Sequence, residues 1–349
     1  MITGRTRARL ALITLVSLLL YGWHVSDQIV NKPTASEPRD INTHAATIAR
    51  LQAGEQYYAA VGAELRVNGY PTYPIVNWRT PLHYRMIAWL GIPIAGSILF
   101  ALAVVCILLA TWQMPLARGA SAGFLMLGAM LPALIDRPGG VVLAEIWTGV
   151  AIGLSLGAYS REWWLTGALL GICAIFLREL AVPYGVVCGL LALREWRWRE
   201  ATLWSLAGLC YGVYYTSHAL ATLQAIQSGD GVNEHSWIQF QGWLFVLKTT
   251  WLSGWTIVAP RLASVVAVAG LAALAAPRIP THIRLTLATY IAIFMMAGQS
   301  FNHYWGFVTA PMWAFALPYT VDGASYLWHT ARNISTATSG ASLVTPPAT

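Results

Sequence analysis

Charge is what this chain has least of. Aspartate, glutamate, lysine and arginine make up only 10% of its 349 residues, against 57% hydrophobic. A water-soluble domain carries about a quarter charged residues, so lipid is the expected solvent over most of this chain. Cysteine is scarce as well: Cys106, Cys173, Cys188 and Cys210 all lie inside apolar runs. There is no CxxC pair and no disulfide framework, and the four read as small core residues. A cleavable leader is not expected either. Arg5, Arg7 and Arg9 precede an apolar run from Leu10 to about Val25, which leaves through Tyr21, Trp23 and His24 with no small-x-small site. The run reads as an uncleaved first span with a cytoplasmic N-terminus. No paired acidic motif stands out to chelate a cation, so no cofactor is expected and no metal is indicated. The net charge of +7 is read by position, as basic loops that set orientation, and no nucleic-acid partner is expected.

What the chain does have is a succession of apolar runs. A helical span needs roughly 20 apolar residues, fewer when it is buried in a bundle. After the first, runs extend from about Ile87 to Thr111, Gly119 to Ile135, Val141 to Tyr159, Trp164 to Leu177, Leu180 to Leu193 and Ala201 to Ala221. Three more cover Leu262 to Ala276, Leu285 to Ala297 and Gly306 to Tyr319. Trp237 to Pro260 is apolar but interrupted by Lys248, Ser253 and Gly254. If that segment lies in the outer interface or re-enters, ten spans result, and Arg118, Arg161, Arg194, Arg197, Arg199, Arg278, Arg284 and Arg332 all fall on the cytoplasmic side. Were it to cross, Arg278 and Arg284 would move outside.

The expected fold is therefore an all-α polytopic membrane protein of about 10 transmembrane helices. One domain covers residues 1–332, with outer loops at 26–86 and 222–260, and residues 333–349 form a disordered Ser/Thr/Ala/Pro-rich tail. Ten of the fourteen acidic residues then gather on one, extracytoplasmic, face: Asp27, Glu37, Asp40, Glu55, Glu64, Asp136, Glu145, Glu179, Asp230 and Glu234.

The first outer loop is patterned. Asp40 is followed by Ile48 and Leu51 at helical spacing, stopping near Gly54. A second pattern places Tyr57 or Tyr58, Val61 and Leu65 on one face and stops at Asn68-Gly69-Tyr70-Pro71. Two amphipathic helices lying on the outer bilayer surface fit this spacing.

Asp40, His44, Ala49, Leu51, Gly54 and Tyr57-Tyr58 behind the first span resemble the membrane-embedded GT-C glycosyltransferases. So do Arg79-Thr80-Pro81 before the second span, Arg178-Glu179 at an outer bend, and His303-Tyr304-Trp305-Gly306 with Pro311. The resemblance implies juxtamembrane helices in the first loop and inverting transfer of a hexose or pentose from a polyprenyl-phosphate donor. The acceptor would be a glycan, lipid or protein at the outer face of a cell inner (plasma) membrane. It implies a catalytic role for Asp40 and substrate binding by Glu55, Tyr57, Arg79, Glu145, Arg178, Glu179, Lys248, His303 and Tyr304. The chemistry stands without the family: a carboxylate must take the proton of the acceptor hydroxyl, and cations must hold the departing phosphate.

Plainer roles compete for the same residues. Asp40, two residues after Pro38, is also placed to cap a helix. Arg178-Glu179 could be a local ion pair closing a helical hairpin, and Glu145 could line a cavity or bond a neighbouring helix. Lys248 could snorkel, and His303-Tyr304-Trp305 could be an interfacial belt. Gly153-Leu154-Ser155-Leu156-Gly157 matches the GxSxG elbow of hydrolases but lies mid-run, so its glycines, like Gly167 and Gly171, are expected to serve helix packing. The main rival function is a non-enzymatic transporter or lipid-binding membrane protein. A transporter calls for paired repeats and midplane charges, and neither is evident. A membrane acyltransferase would want a buried mid-span histidine.

Overall fold

The computed structural model describes residues 4–25, 37–112, 116–135, 137–232, 238–299 and 301–332. Asp27, Asp136, Glu234 and the tail 333–349 lie outside the described residues. Those described form sixteen α-helices and no β-strand, as the apolar runs predict.

The chain opens with α1 (Gly4–His24), then α2 (Glu37–Gln52), α3 (Tyr57–Val67) and α4 (Pro81–Leu90). Glycines end two of them. Gly54 (φ 89°) and Gly69 (φ 62°) adopt the left-handed conformation just past α2 and α3, and Tyr70 N–H then bonds back to Leu65 O. Pro81 starts α4 where its missing N–H costs nothing. The second apolar run is not one helix: Gly91 (φ 78°) breaks it, leaving α4 before the break and α5 (Ile92–Trp112) after it. There follow α6 (Leu116–Leu134), the short α7 (Arg137–Val142), α8 (Ala144–Ser160), α9 (Trp164–Leu177), α10 (Val182–Arg194) and α11 (Trp198–Ala225). The last five are α12 (Gly242–Trp251), α13 (Ala263–Leu274), α14 (Thr281–Met296), α15 (Gly306–Ala316) and α16 (Thr320–Arg332).

The helices run back and forth between two ends. At one end Arg5 and Arg9 donate to Ala331 O (3.2 and 3.1 Å), Arg118 pairs with Asp322 (2.6 Å), and Arg161 lies 4.6 Å over the Trp112 ring. Tyr159 bonds Glu200 (2.7 Å) and stacks on His282 there. At the other end α2, α3 and α4 gather with the start of α8, the α9–α10 turn, the end of α11 and residues 297–299 and 301–306. Helix α8 is the axis: every residue from Ala144 to Tyr159 is buried. Its glycines make this possible. A Cβ on Gly149 would collide with Phe307 O, and one on Gly153 with Cys106 Sγ at 2.6 Å. The GxSxG stretch is thus a packing face. Ser155 is fully buried, donating to Gly167 O (2.5 Å) and sharing a hydrogen bond with the Tyr184 hydroxyl (2.7 Å).

Two stretches, Ile92–Trp112 and Ala117–Leu134, are long and apolar enough to cross a membrane. Trp164–Leu177, Pro260–Leu274 and Thr281–Met296 are apolar but shorter. Helix α12 has ten residues and ends at Gly254 (φ 130°) and two 3₁₀ turns. At 1.5 Å per residue that is about 15 Å, half the hydrocarbon thickness, so α12 alone does not cross. Two corrections follow. Cys173 and Cys210 are exposed, and only Cys106 and Cys188 are core residues; an apolar run does not say which of its faces is covered. And the last apolar run is followed by an additional amphipathic helix, α16, that docks on α1 and α13 through Thr320 (hydroxyl to Ala269 O, 3.1 Å) and Ala331.

Candidate functional site

A cavity of about 330 Å³ opens at the acidic end of the bundle, lined by Asp40, Thr43, His44, Leu65, Tyr70, Pro71, Asn77, Arg79, Phe301 and Tyr304. Three elements build it. One face of α2 supplies Asp40, Thr43 and His44, at helical spacing that puts all three on the same side. The irregular segment between α3 and α4 supplies Tyr70 to Arg79, and the 3₁₀ turn Asn302–Trp305 supplies Tyr304.

Apart from one 3₁₀ turn, Ile75–Asn77, the segment has no helix to hold it, so its other backbone groups are bonded one by one. Trp78 Nε1 donates to Thr72 O (2.7 Å), Asn77 Nδ2 to Pro71 O (2.9 Å), and the Tyr57 hydroxyl to Arg79 O. The second outer loop is strapped to it. Arg66 makes a two-pronged pair with Asp230 (2.8 Å on each arm), and Thr72 N–H donates to Gly231 O (3.0 Å). The Arg66 guanidinium holds the Asp230 carboxyl well below the usual carboxylate range.

Asp40 accepts a hydrogen bond from the Tyr70 hydroxyl. Helix α2 starts at Glu37, so Asp40 lies inside its first turn and does not cap it, contrary to the capping role its neighbour Pro38 suggests. A first-turn carboxylate is favoured by the positive end of the helix. His44, one turn on, shares a 2.5 Å hydrogen bond through Nδ1 with the Tyr84 hydroxyl. Burial, and then the Arg79 cation, push its pKa down to about 3, so the ring is neutral at physiological pH. Arg79 Nη2 donates to the Tyr304 hydroxyl (2.8 Å), and Asn302 Nδ2 reaches the same oxygen at 3.3 Å. With its oxygen accepting from both, Tyr304 keeps its own O–H for an oxygen in the cavity.

Behind Arg79 stands a buried ionic chain. Glu145 Oε1 lies 4.0 Å from Arg79 Nη2 and accepts from Arg178 Nε at 2.8 Å; Arg178 also donates to Glu179. Arg178 is 1% exposed and does not line the cavity. Both plainer roles for this group therefore hold: Arg178-Glu179 is an ion pair at the hairpin, and Glu145 bonds a neighbouring element. Buried ions in this number survive by mutual pairing, and the pairing fixes where Arg79 points.

The residues singled out in the sequence divide accordingly. Asp40, Arg79 and Tyr304 share the cavity, while Tyr57, Glu145, Arg178 and Glu179 stand behind its wall. Glu55 is elsewhere, paired with Arg50 (3.0 Å) in a groove on the far stretch of α2. His303 is buried and stacked on Trp251 (centroids 5.6 Å, planes 16° apart), and Lys248 on α12 is not in the lining. Seven lining residues were not foreseen as site residues: Thr43, His44, Leu65, Tyr70, Pro71, Asn77 and Phe301. His44 was legible from its four-residue offset to Asp40; Tyr70 and Asn77 carry no periodicity and are brought in by the loop alone. Among the described residues no group of three or more His, Cys, Asp or Glu side chains is placed to hold a metal ion. No family model, no curated protein and no solved structure matches this chain.

Proposed function

We propose that the chain is an integral membrane glycosyltransferase of the GT-C kind, moving a hexose or pentose from a polyprenyl-phosphate donor to an acceptor hydroxyl. One observation carries the reading: a carboxylate, a neutral imidazole, a guanidinium and a tyrosine O–H converge on one cavity, at the acidic end of a bundle with bare apolar flanks. Those flanks include Val105 and Leu108 on α5, Leu169 on α9, and Leu206, Leu209 and Val213 on α11, all exposed in mid-helix. So much uncovered apolar surface suits lipid. Ten spans suit the two-ended layout, with the end holding Arg5, Arg9, Arg118 and Arg161 in the cytoplasm and the cavity outside, in the inner membrane.

The cavity's volume is within the range of small-ligand sites, matching a sugar with its phosphate. In the proposed reaction Asp40 takes the proton of the acceptor hydroxyl as that oxygen attacks the anomeric carbon. The carbon–oxygen bond to phosphate breaks, and the phosphate leaves with the electron pair, held by the Arg79 cation and the Tyr304 O–H. Arg178 positions Arg79 through Glu145 and does not touch the donor. The test is transfer by the purified protein in nanodiscs, supplied in turn with radiolabelled undecaprenyl-phosphate hexoses and pentoses. Release of polyprenyl phosphate that falls about 100-fold in Arg79→Gln supports the reading. A monodisperse protein that neither binds nor turns over any of these donors overturns it.

A further inference from the structure

A second concavity lies on the far stretch of α2. It is an open groove of about 540 Å³ between the α2–α3 turn and the last turns of α4, lined by Gln52, Glu55, Gln56, Tyr57, Arg85 and Trp89 with Leu51, Gly54 and Ala88. Trp89 is 84% exposed although it carries the largest apolar side chain there. Gln52 Nε2 reaches Ala88 O across the groove at 3.5 Å, and the Arg85 guanidinium sits 6.0 Å over the Tyr57 ring.

The lining selects one class of ligand. The lining carries one guanidinium, Arg85, and one carboxylate, Glu55; Arg50, which pairs with Glu55, also pairs with Glu64, so the group is neutral overall and does not select an anion. Two amides, a carboxylate and a guanidinium are too polar for a lipid tail. A neutral molecule with many hydroxyls and one apolar face fits. Each glutamine amide both donates and accepts, the carboxylate accepts and the guanidinium donates, which matches adjacent hydroxyls. The electron-rich face of an uncovered indole suits the C–H face of a sugar ring. A tryptophan that only anchored the helix end in an interface would need none of these polar neighbours.

The groove also adjoins the cavity. Tyr57 links the two: its ring lies under Arg85 on the groove side, and its hydroxyl bonds Arg79 O, whose side chain lines the cavity. From Asp40 to Gln52 along α2 is twelve residues, about 18 Å, a length that a short oligosaccharide covers.

We propose that this groove binds the non-reacting part of a saccharide acceptor, stacked on Trp89 and hydrogen-bonded by Gln52, Gln56 and Arg85, so that its terminal hydroxyl reaches Asp40. This rests on the glycosyltransferase reading for the reaction but not for the binding. The protein in nanodiscs is applied to an immobilised array of hexose and pentose oligosaccharides, as wild type, Trp89→Ala, Gln56→Ala and Leu209→Ala, the last an exposed residue of α11 outside both linings. The expected result is retention on a subset of saccharides, lowered about tenfold or more by Trp89→Ala, lowered by Gln56→Ala and unchanged by Leu209→Ala. Trp89 and Gln56 are exposed, and a monodisperse elution profile checks that each variant is folded. No retention of any saccharide by the wild type, or equal retention by Trp89→Ala and Gln56→Ala, overturns the groove. Saccharide binding without transfer from any polyprenyl-phosphate donor keeps the groove and overturns the transferase. Transfer with an acceptor KM unmoved by Trp89→Ala does the reverse.

Discussion

Asp40 and His44 sit one helical turn apart in the same cavity and are held in different ways. Asp40 accepts from the Tyr70 hydroxyl, whereas His44 is half-buried, and its desolvation and then the Arg79 cation keep it neutral. Under the proposed reaction, Asp40→Asn removes the proton acceptor and keeps an oxygen for Tyr70, so turnover falls by roughly 10²–10⁴ while the unfolding midpoint stays near wild type. Near-normal transfer by that variant would show that Asp40 is not the base. His44 predicts a pH effect instead. Its pKa is about 3 in the folded chain and about 6.5 when unfolded. Below about 6.5 the unfolded chain binds a proton that the folded chain refuses, so stability declines as pH falls and the decline from this group ends near 3. The melting temperature of His44→Gln should therefore drop less than wild type between pH 7 and pH 5; parallel curves would contradict the burial. At this scale Asp40, Arg79 and Tyr304 were legible, because scarce polar groups in an apolar chain stand out. The division of labour between arginines was not. Arg178 and Arg79 read alike in the sequence, and only the Glu145 carboxylate between them shows which one is enclosed and which one faces the cavity.

Helix boundaries followed local chemistry wherever the chain names its own stops. Gly54 and Gly69 each end a helix where expected, and Pro81 starts one ahead of the apolar run. Gly91 is the exception: lying inside an apolar run, it gives no polar warning, yet its positive φ turns the surface helix α4 into the long α5. Which face of a run is covered was equally hidden, and the exposed Cys173 and Cys210 record that. Packing of α8 was legible in its small residues. Gly149 abuts the Phe307 backbone so closely that a methyl group has no room, and neither partner is a movable side chain end. Gly149→Ala should cost about 1–3 kcal/mol through overpacking, seen as a lower unfolding midpoint in detergent. Gly208→Ala, where nothing lies within 4 Å of the added carbon, should cost nothing. Equal stability of the two variants would refute the close α8–α15 approach.

The two ends of the molecule differ in charge more than in shape, and that difference predicts an orientation. Arg118, Arg161, Arg197 and Arg284 meet at one end, with Glu200 and Asp322 as partners, while at the other Asp40, Glu55, Glu64, Glu145, Glu179 and Asp230 are nearly balanced by Arg50, Arg66, Arg79, Arg85 and Arg178. Under the proposed membrane reading the basic end is expected in the cytoplasm, because translocating short arginine-rich loops against the potential is disfavoured. Two positions report the ends well. Gly231 is exposed beside Pro71 at the cavity end, and Ser160 is exposed at the last turn of α8 beside Arg161. Cys173 and Cys210 are exposed and are first changed to serine; Cys106 and Cys188 are buried and can stay. In that background Gly231→Cys should react with a membrane-impermeant maleimide in intact cells, while Ser160→Cys should react only after the membrane is opened. Gly231 is not among the positive-φ glycines, and an added Cβ would meet the Pro71 Cα at 3.8 Å, an ordinary contact, so the substitution does not strain the loop. Labelling of Ser160→Cys from outside would invert the molecule and put the cavity in the cytoplasm, away from an outer-leaflet donor. Labelling of both from outside would mean that α8 to α11 do not alternate across a bilayer, and the span count would fall with it.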